Sequence, residues 1–153
     1  MKVLMVCLGN ICRSPVADGL MRQHAQQAGM NIDVDSCGTA SYHIGEAPDH
    51  RSQASCTRQG LDISFLRARH FKKEDLAEFD HIFCMDIQNM KDVTKHAYTD
   101  IERQKISLFL EAAFPGKNAA VPDPYTGSED GFNSVFKLLD QGCAAWIKKW
   151  QDA

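Results

Sequence analysis

The 153-residue chain has no apolar run near the ~20 residues that a bilayer-crossing helix requires, so no membrane association is expected. It has no surplus of positive charge: 17 Lys and Arg against 20 Asp and Glu leave a net charge of -3, which argues against a nucleic-acid partner. Among its six histidines and six cysteines there is no C-x-x-C and no H-x-x-x-H pair, so neither a metal site nor another cofactor is implied. The segment 1–12 has one Lys and a short apolar stretch broken at Gly9-Asn10, with no small-residue cleavage site, and does not read as a signal peptide. A cytoplasmic location is expected. The cysteines are too sparse for a disulfide scaffold and read as reduced thiols, most of them small buried hydrophobes. Neither a linker nor an internal repeat interrupts the chain, so a single domain over residues 1–153 is expected.

What is present is ordinary globular composition, 44% hydrophobic and 24% charged. Lys2 to Cys7 is a continuous apolar run, as in a strand buried on both faces of a parallel sheet. Ser14-Pro15 then predicts a helix start, with Ser14 as N-cap, and Gly29 its end. Asn31 to Cys37 reads as a second strand, His81 to Asp86 as a third and Lys105 to Leu110 as a fourth. Helices are expected over 52–59, 73–79 and 88–96. The last helix is marked by a stripe from Phe132 through Val135, Phe136, Leu139, Cys143, Trp146 and Ile147 to Trp150. Strands alternating with helices predict an α/β fold: a doubly wound, mostly parallel four-stranded sheet with helices on both faces. Ligands of such sheets bind beyond the strand C-termini, where Cys7 lies.

Cys7-Leu-Gly-Asn-Ile-Cys-Arg13-Ser14 sets a thiol and a guanidinium six residues apart, between a strand and a helix N-terminus. Successive N–H groups of a tight loop and the helix dipole make an anion cradle there. Gly9 and Asn10 suit a left-handed or closely packed backbone, and Arg13 can hold two phosphate oxygens at once. A thiol in that field is expected to ionise at neutral pH, with the Ser14 hydroxyl bonded to it. The spacing alone is weak; the strand before it and the Ser-Pro helix start after it give it weight.

The string CLGNICRSP, with DPY at 123–125, resembles the low-molecular-weight protein tyrosine phosphatases. Segments 35–39, 45–52 and 79–86 and the terminal helix are similar to family segments in family order, so the likeness covers nearly the whole chain. The resemblance implies metal-independent hydrolysis of protein phosphotyrosine, and of aryl phosphates such as p-nitrophenyl phosphate, through a cysteinyl-phosphate. It implies Cys7 as nucleophile, Arg13 as phosphate-binding arginine and Asp123 as general acid. The phosphate-binding loop would comprise Leu8, Gly9, Asn10, Ile11, Cys12, Arg13 and Ser14. Asn10, Ser14 and Ser36, with His70, would support the loop, and Tyr42 and Tyr125 would wall the substrate. Ile11 stands where relatives acting on phosphoarginine tend to carry Thr, and Tyr42 where many bacterial members have Trp. Cys12 could trap an oxidised Cys7 as a disulfide. Tyrosine-phosphorylated proteins are the implied partners, with phosphate and other oxyanions as inhibitors. Read alone, Pro122-Asp123-Pro124 is a rigid turn, and Tyr42 and Tyr125 are surface tyrosines. Two further readings are a thiol-dependent arsenate reductase and a non-catalytic phosphotyrosine-binding module. The first needs two extra relay cysteines, and only Cys84 lies in the middle of the chain for that part.

Overall fold

The computed structural model describes residues 1–153. Strand β1, Lys2–Cys7, is central: it pairs with β2, Asp33–Gly38, on one side and with β3, His81–Cys84, on the other. Strand β4, Ile106–Leu108, lies outside β3, and every pairing is parallel, so the order is β2-β1-β3-β4. The expected four-stranded α/β sheet is present and has no antiparallel strand.

The apolar run of β1 is explained by two cores. Val3 and Met5 face one core with helix α1, Ser14–Gln27, and helix α6, Glu129–Gln151; Leu4 and Val6 face the other with Leu76 and Val93. Those two belong to α3, Asp75–Glu78, and α4, Ile87–Thr94. Helix α2 covers His50–Arg58, and α5 covers Asp100–Gln104. The predicted stripe of α6 is the face it buries, with Trp146 Nε1 donating to Phe109 O at 2.6 Å. A Cβ on Gly142 would stand 2.2 Å from Phe109 Cε2, so α6 packs on that ring through its backbone. No helix is long and apolar enough to cross a membrane.

Three local expectations change. Ser14 is the first helical residue and Arg13 the N-cap, because the Ser14 hydroxyl turns back to the loop below. The third strand ends at Cys84, since Asp86 caps α4 by accepting from Asn89 N–H at 2.8 Å. The fourth stops at Leu108, where Phe109–Glu111 coils into a 3-10 turn. Gly29 ends α1 as expected: at φ 66° it lets Met30 N–H reach Ala25 O at 2.9 Å.

Candidate active site

The chain leaves β1 at Cys7 and enters α1 at Ser14, so residues 8–13 must turn sharply at the sheet's C-terminal edge. Two local features permit the turn. Asn10 takes φ 58°, a left-handed conformation asparagine tolerates. Gly38, at the end of β2, has no side chain: a Cβ there would stand 2.7 Å from Leu8 O. The loop therefore lies directly on β2's end, where Thr39 and Ala40 N–H donate to Cys7 O and Leu8 O at 2.9 Å each. The far side is tied by Asp49 N–H to Ile11 O at 2.8 Å and by Ser52 Oγ to Cys12 O at 3.1 Å.

Asn10 is the hub beneath this loop. Its Nδ2 donates to Ser14 Oγ at 2.7 Å and Ser36 Oγ at 3.0 Å, and its Oδ1 accepts from Arg69 N–H at 3.0 Å. Ser14 Oγ lies 3.0 Å from Cys7 Sγ, which Asn10 N–H also approaches at 3.3 Å. Ser14 accepts the Asn10 amide, and its one proton lies between the sulfur at 3.0 Å and the more distant Cys37 O at 3.5 Å. His70 is not part of the network: its Nε2 lies 3.0 Å from Thr39 O, and the backbone of Arg69 occupies the place expected of it. Arg69 is held in turn by ion pairs of 3.0 Å with Asp35 and the buried Asp75.

Arg13, only 3% exposed, runs beneath the loop toward the end of β3. Its Nη1 donates to Asp86 Oδ2 at 2.7 Å and Val121 O at 3.0 Å, and its Nη2 lies 3.8 Å from Asp123 Oδ2. Asp123 is 45% exposed and accepts from Tyr125 N–H at 3.1 Å. One guanidinium thus joins the Cys7 loop to the segment carrying the carboxylate. A second, Arg51, pairs with Asp49 at 3.0 Å and donates to Tyr125 O at 2.9 Å and Gly127 O at 3.4 Å. Burial would raise the Asp49 carboxyl, but the bonds from Arg51 outweigh it and hold it below its usual range.

These groups surround a cleft of about 210 Å³. Its lining includes the buried Cys7 and Arg13 and the exposed Leu8, Asp123, Tyr42 and Tyr125. Tyr42 is 75% exposed, which leaves its ring free to meet a ligand. His43 also lines the cleft, 6.3 Å from the Tyr125 ring centre and fixed by Nδ1 at 2.7 Å from Glu46 Oε2. It packs closely on the loop at Gly9, where a Cβ would stand 3.1 Å from His43 Cδ2 and the ring would have to give by a few tenths of an ångström. Cys12 lies in the same wall, its thiol pushed up to about 12 by burial and then by the charges of Asp49, Cys7 and Asp123. All six cysteines are unpaired and buried, and no group of three or more His, Cys, Asp or Glu side chains is arranged to hold a metal ion.

The predicted Cys7, Arg13, Asp123, Tyr42 and Tyr125 are therefore brought to one cleft, with Ser14 meeting the Cys7 sulfur directly and Ser36 linked to it through Asn10. Sequence reasoning did not find Asp86, Arg51, Arg69 and His43. Asp86 and Arg51 act on partners 73 or more residues away, which no spacing rule reports.

A family model described as "Low molecular weight phosphotyrosine protein phosphatase" matches residues 2–153. The human low molecular weight phosphotyrosine protein phosphatase is 38% identical over 150 residues, covering 96% of this chain and 94% of its own length. The Schizosaccharomyces pombe protein of the same description is 39% identical, covering 91% and 90%. Among solved structures, a protein tyrosine phosphatase from Entamoeba histolytica with Hepes in its active site superposes with a TM-score of 0.92. It is 35% identical, covering 99% of this chain and 97% of its own. A Vibrio vulnificus protein in complex with benzylphosphonate gives 0.85 at 28% identity, covering 97% of each chain.

Proposed function

The chain belongs to the low-molecular-weight phosphotyrosine protein phosphatase family and is an enzyme of that class, and from this premise we propose how its own residues carry the reaction. Cys7 attacks the phosphorus of a phosphotyrosyl protein as a thiolate and forms a cysteinyl-phosphate. Asp123 protonates the departing phenolate oxygen, then takes a proton from the water that hydrolyses the intermediate. The amides of residues 8–13 and the Arg13 guanidinium hold the equatorial oxygens, supplying the charge stabilisation that metal ions give elsewhere. Ser14 stabilises the sulfur as it leaves. Tyr42 and Tyr125 flank the substrate ring, and p-nitrophenyl phosphate fits the same space.

The observation carrying this reading is the meeting of Cys7, Arg13 and Asp123 in one cleft small enough for a single aryl phosphate. The Hepes and benzylphosphonate of the two relatives support binding of phosphate and other oxyanions as inhibitors here. A binding module needs neither a thiol nor a positioned acid, and an arsenate relay needs two further cysteines, whereas the middle of the chain offers only Cys84, within β3. Cys12 lines the same cleft as Cys7, which supports a role as redox trap: it condenses with a sulfenic acid on Cys7, forming a disulfide and releasing water, its proton passing to the sulfenic oxygen as the bond forms.

The test is turnover of p-nitrophenyl phosphate and a phosphotyrosyl peptide with and without EDTA, for the native enzyme, Cys7→Ser and Asp123→Asn. Expected are EDTA-insensitive turnover, no hydrolysis by Cys7→Ser with phosphate binding retained, and ~10²–10⁴-fold slower turnover by Asp123→Asn. Full activity of Cys7→Ser removes the nucleophile; a neutral Asp123→Asn removes the acid.

A further inference from the structure

The segment from Pro122 to Gly127 carries both Asp123 and Tyr125, yet it forms no strand or helix. Its hydrogen bonds to the rest of the chain are two, and Arg51 donates both, to Tyr125 O at 2.9 Å and to Gly127 O at 3.4 Å. Within the segment, Gly127 N–H closes a turn on Pro124 O at 2.9 Å, and Tyr125 N–H donates to Asp123 Oδ1 at 3.1 Å. Tyr125 therefore works in both directions: Arg51 holds its carbonyl, and its N–H holds the carboxylate. The contact from Arg13 Nη2, at 3.8 Å, is longer than these hydrogen bonds and goes to the other carboxylate oxygen, Oδ2.

Arg51 is itself held on several sides. Asp49 takes it in a fork, Oδ1 accepting from Nε at 3.1 Å and Oδ2 from Nη2 at 3.0 Å, an arrangement that orients the guanidinium as well as attracting it. The guanidinium also lies over the Phe132 ring, 4.4 Å from its centre. Asp49 caps α2 by accepting from Arg51 N–H at 2.8 Å, and its own N–H donates to Ile11 O, in the loop after Cys7, at 2.8 Å. One continuous path thus runs from Ile11 through Asp49, Arg51 and Tyr125 to Asp123.

We propose that Arg51 is a positioning residue for the general acid, fixing the Asp123 carboxylate relative to the Cys7 loop through the backbone of Tyr125. The proposal rests on the reading that Asp123 protonates the departing phenolate. A carboxylate bonded to a neighbouring N–H goes where that backbone goes, and a displacement of about 1 Å is enough to cost ~10²-fold in rate. Proton donation matters most when the departing phenolate is basic and least when it is stable as an anion. Loss of positioning therefore appears as a dependence on the leaving group, where damage to the phosphate loop slows every ester alike.

The experiment measures kcat/KM of the full enzyme for phenyl phosphate, whose phenol is about as basic as that of tyrosine, and for dinitrophenyl phosphate, whose phenolate departs without a proton. Arg51→Met keeps an apolar stem against Phe132 but no donors; Arg51→Lys keeps the charge but not the fork. Arg51→Met is expected to slow phenyl phosphate by about 10- to 100-fold and dinitrophenyl phosphate by less than about two-fold, with Arg51→Lys intermediate on the first ester. In an Asp123→Asn background, where the acid is already gone, Arg51→Met is expected to add no further loss on phenyl phosphate. If the methionine variant folds poorly, the lysine variant carries the test, and its loss must again fall on phenyl phosphate alone. An equal loss on both esters, native rates in both variants, or a full additional loss beyond Asp123→Asn overturns the positioning role. If Asp123→Asn itself slows both esters alike, the acid reading falls, and the role of Arg51 with it.

Discussion

Replacing Asn10 by alanine and, separately, by glycine divides two roles that one residue combines. Both substitutions delete the side-chain bonds to Ser14, Ser36 and the Arg69 backbone. Each of these three buried bonds contributes about 1 kcal/mol, so the common loss is about 3 kcal/mol. Alanine must also adopt φ 58°, where a Cβ crowds the following carbonyl at a cost of about 1–2 kcal/mol. Glycine adopts it freely but gives up about 0.5–1 kcal/mol through its looser unfolded chain. Asn10→Ala should lose about 4–5 kcal/mol in urea denaturation and Asn10→Gly about 1 kcal/mol less. In p-nitrophenyl phosphate turnover both should fall alike, by ~10²-fold, because Ser14 and Cys7 lose their common brace. Stability within 0.5 kcal/mol of the native protein for both variants would refute the hub, as would an alanine variant with native kcat.

Three further outcomes follow from other contacts. Asp86→Asn keeps the cap of α4 but removes the charge facing Arg13, so stability should fall by about 1–3 kcal/mol. Inorganic phosphate should then raise Tm more in that variant than in the native protein; an unchanged Tm in buffer argues that Asp86 does not hold Arg13. Gly142→Ala forces a methyl onto Phe109, and the overpacking cost of about 1–3 kcal/mol exceeds the helix gain of about 0.5–1 kcal/mol. Urea midpoints should fall, and a stabilised variant would contradict the close approach. His81 stacks near Phe83, Trp146 and Trp150, and burial lowers its pKa from 6.5. A lowered imidazole favours the fold when neutral, so its contribution is whole above about pH 6.5 and is lost as pH falls through the folded value. His81→Gln should flatten the decline in stability from pH 7 to pH 5, which denaturation at each pH reads directly.

Segments that bury a periodic or continuous apolar pattern were legible in the sequence: β1, the stripe of α6, and α1 as far as Gly29. Helix α5 was not. It buries none of its residues, and its one signal is the capping box in which Thr99 and Glu102 bond each other's backbone. Ser14 shows the opposite failure. Its position before a proline predicts a cap, but its hydroxyl forms bonds with the Cys7 loop instead, and a functional contact overrides the local preference. Cys7, Arg13 and Asp123 could be found because two short motifs carry them. Asp86 and Arg51 could not, since a lone Asp before a helix or a lone Arg within one has no pattern until the fold brings its partner near.

Arg51 grips the Asp123 segment by the carbonyl oxygens of Tyr125 and Gly127, and its guanidinium also lies 5.7 Å from the centre of the Tyr125 ring. Every residue type presents the same carbonyl. The identities at 126–128 can therefore drift over generations and reshape the surface beside the cleft, while the latch under them stays closed. Substitution of Arg51 itself has no such freedom, because it would free residues 125–127 and leave only the Arg13 side of the segment tied.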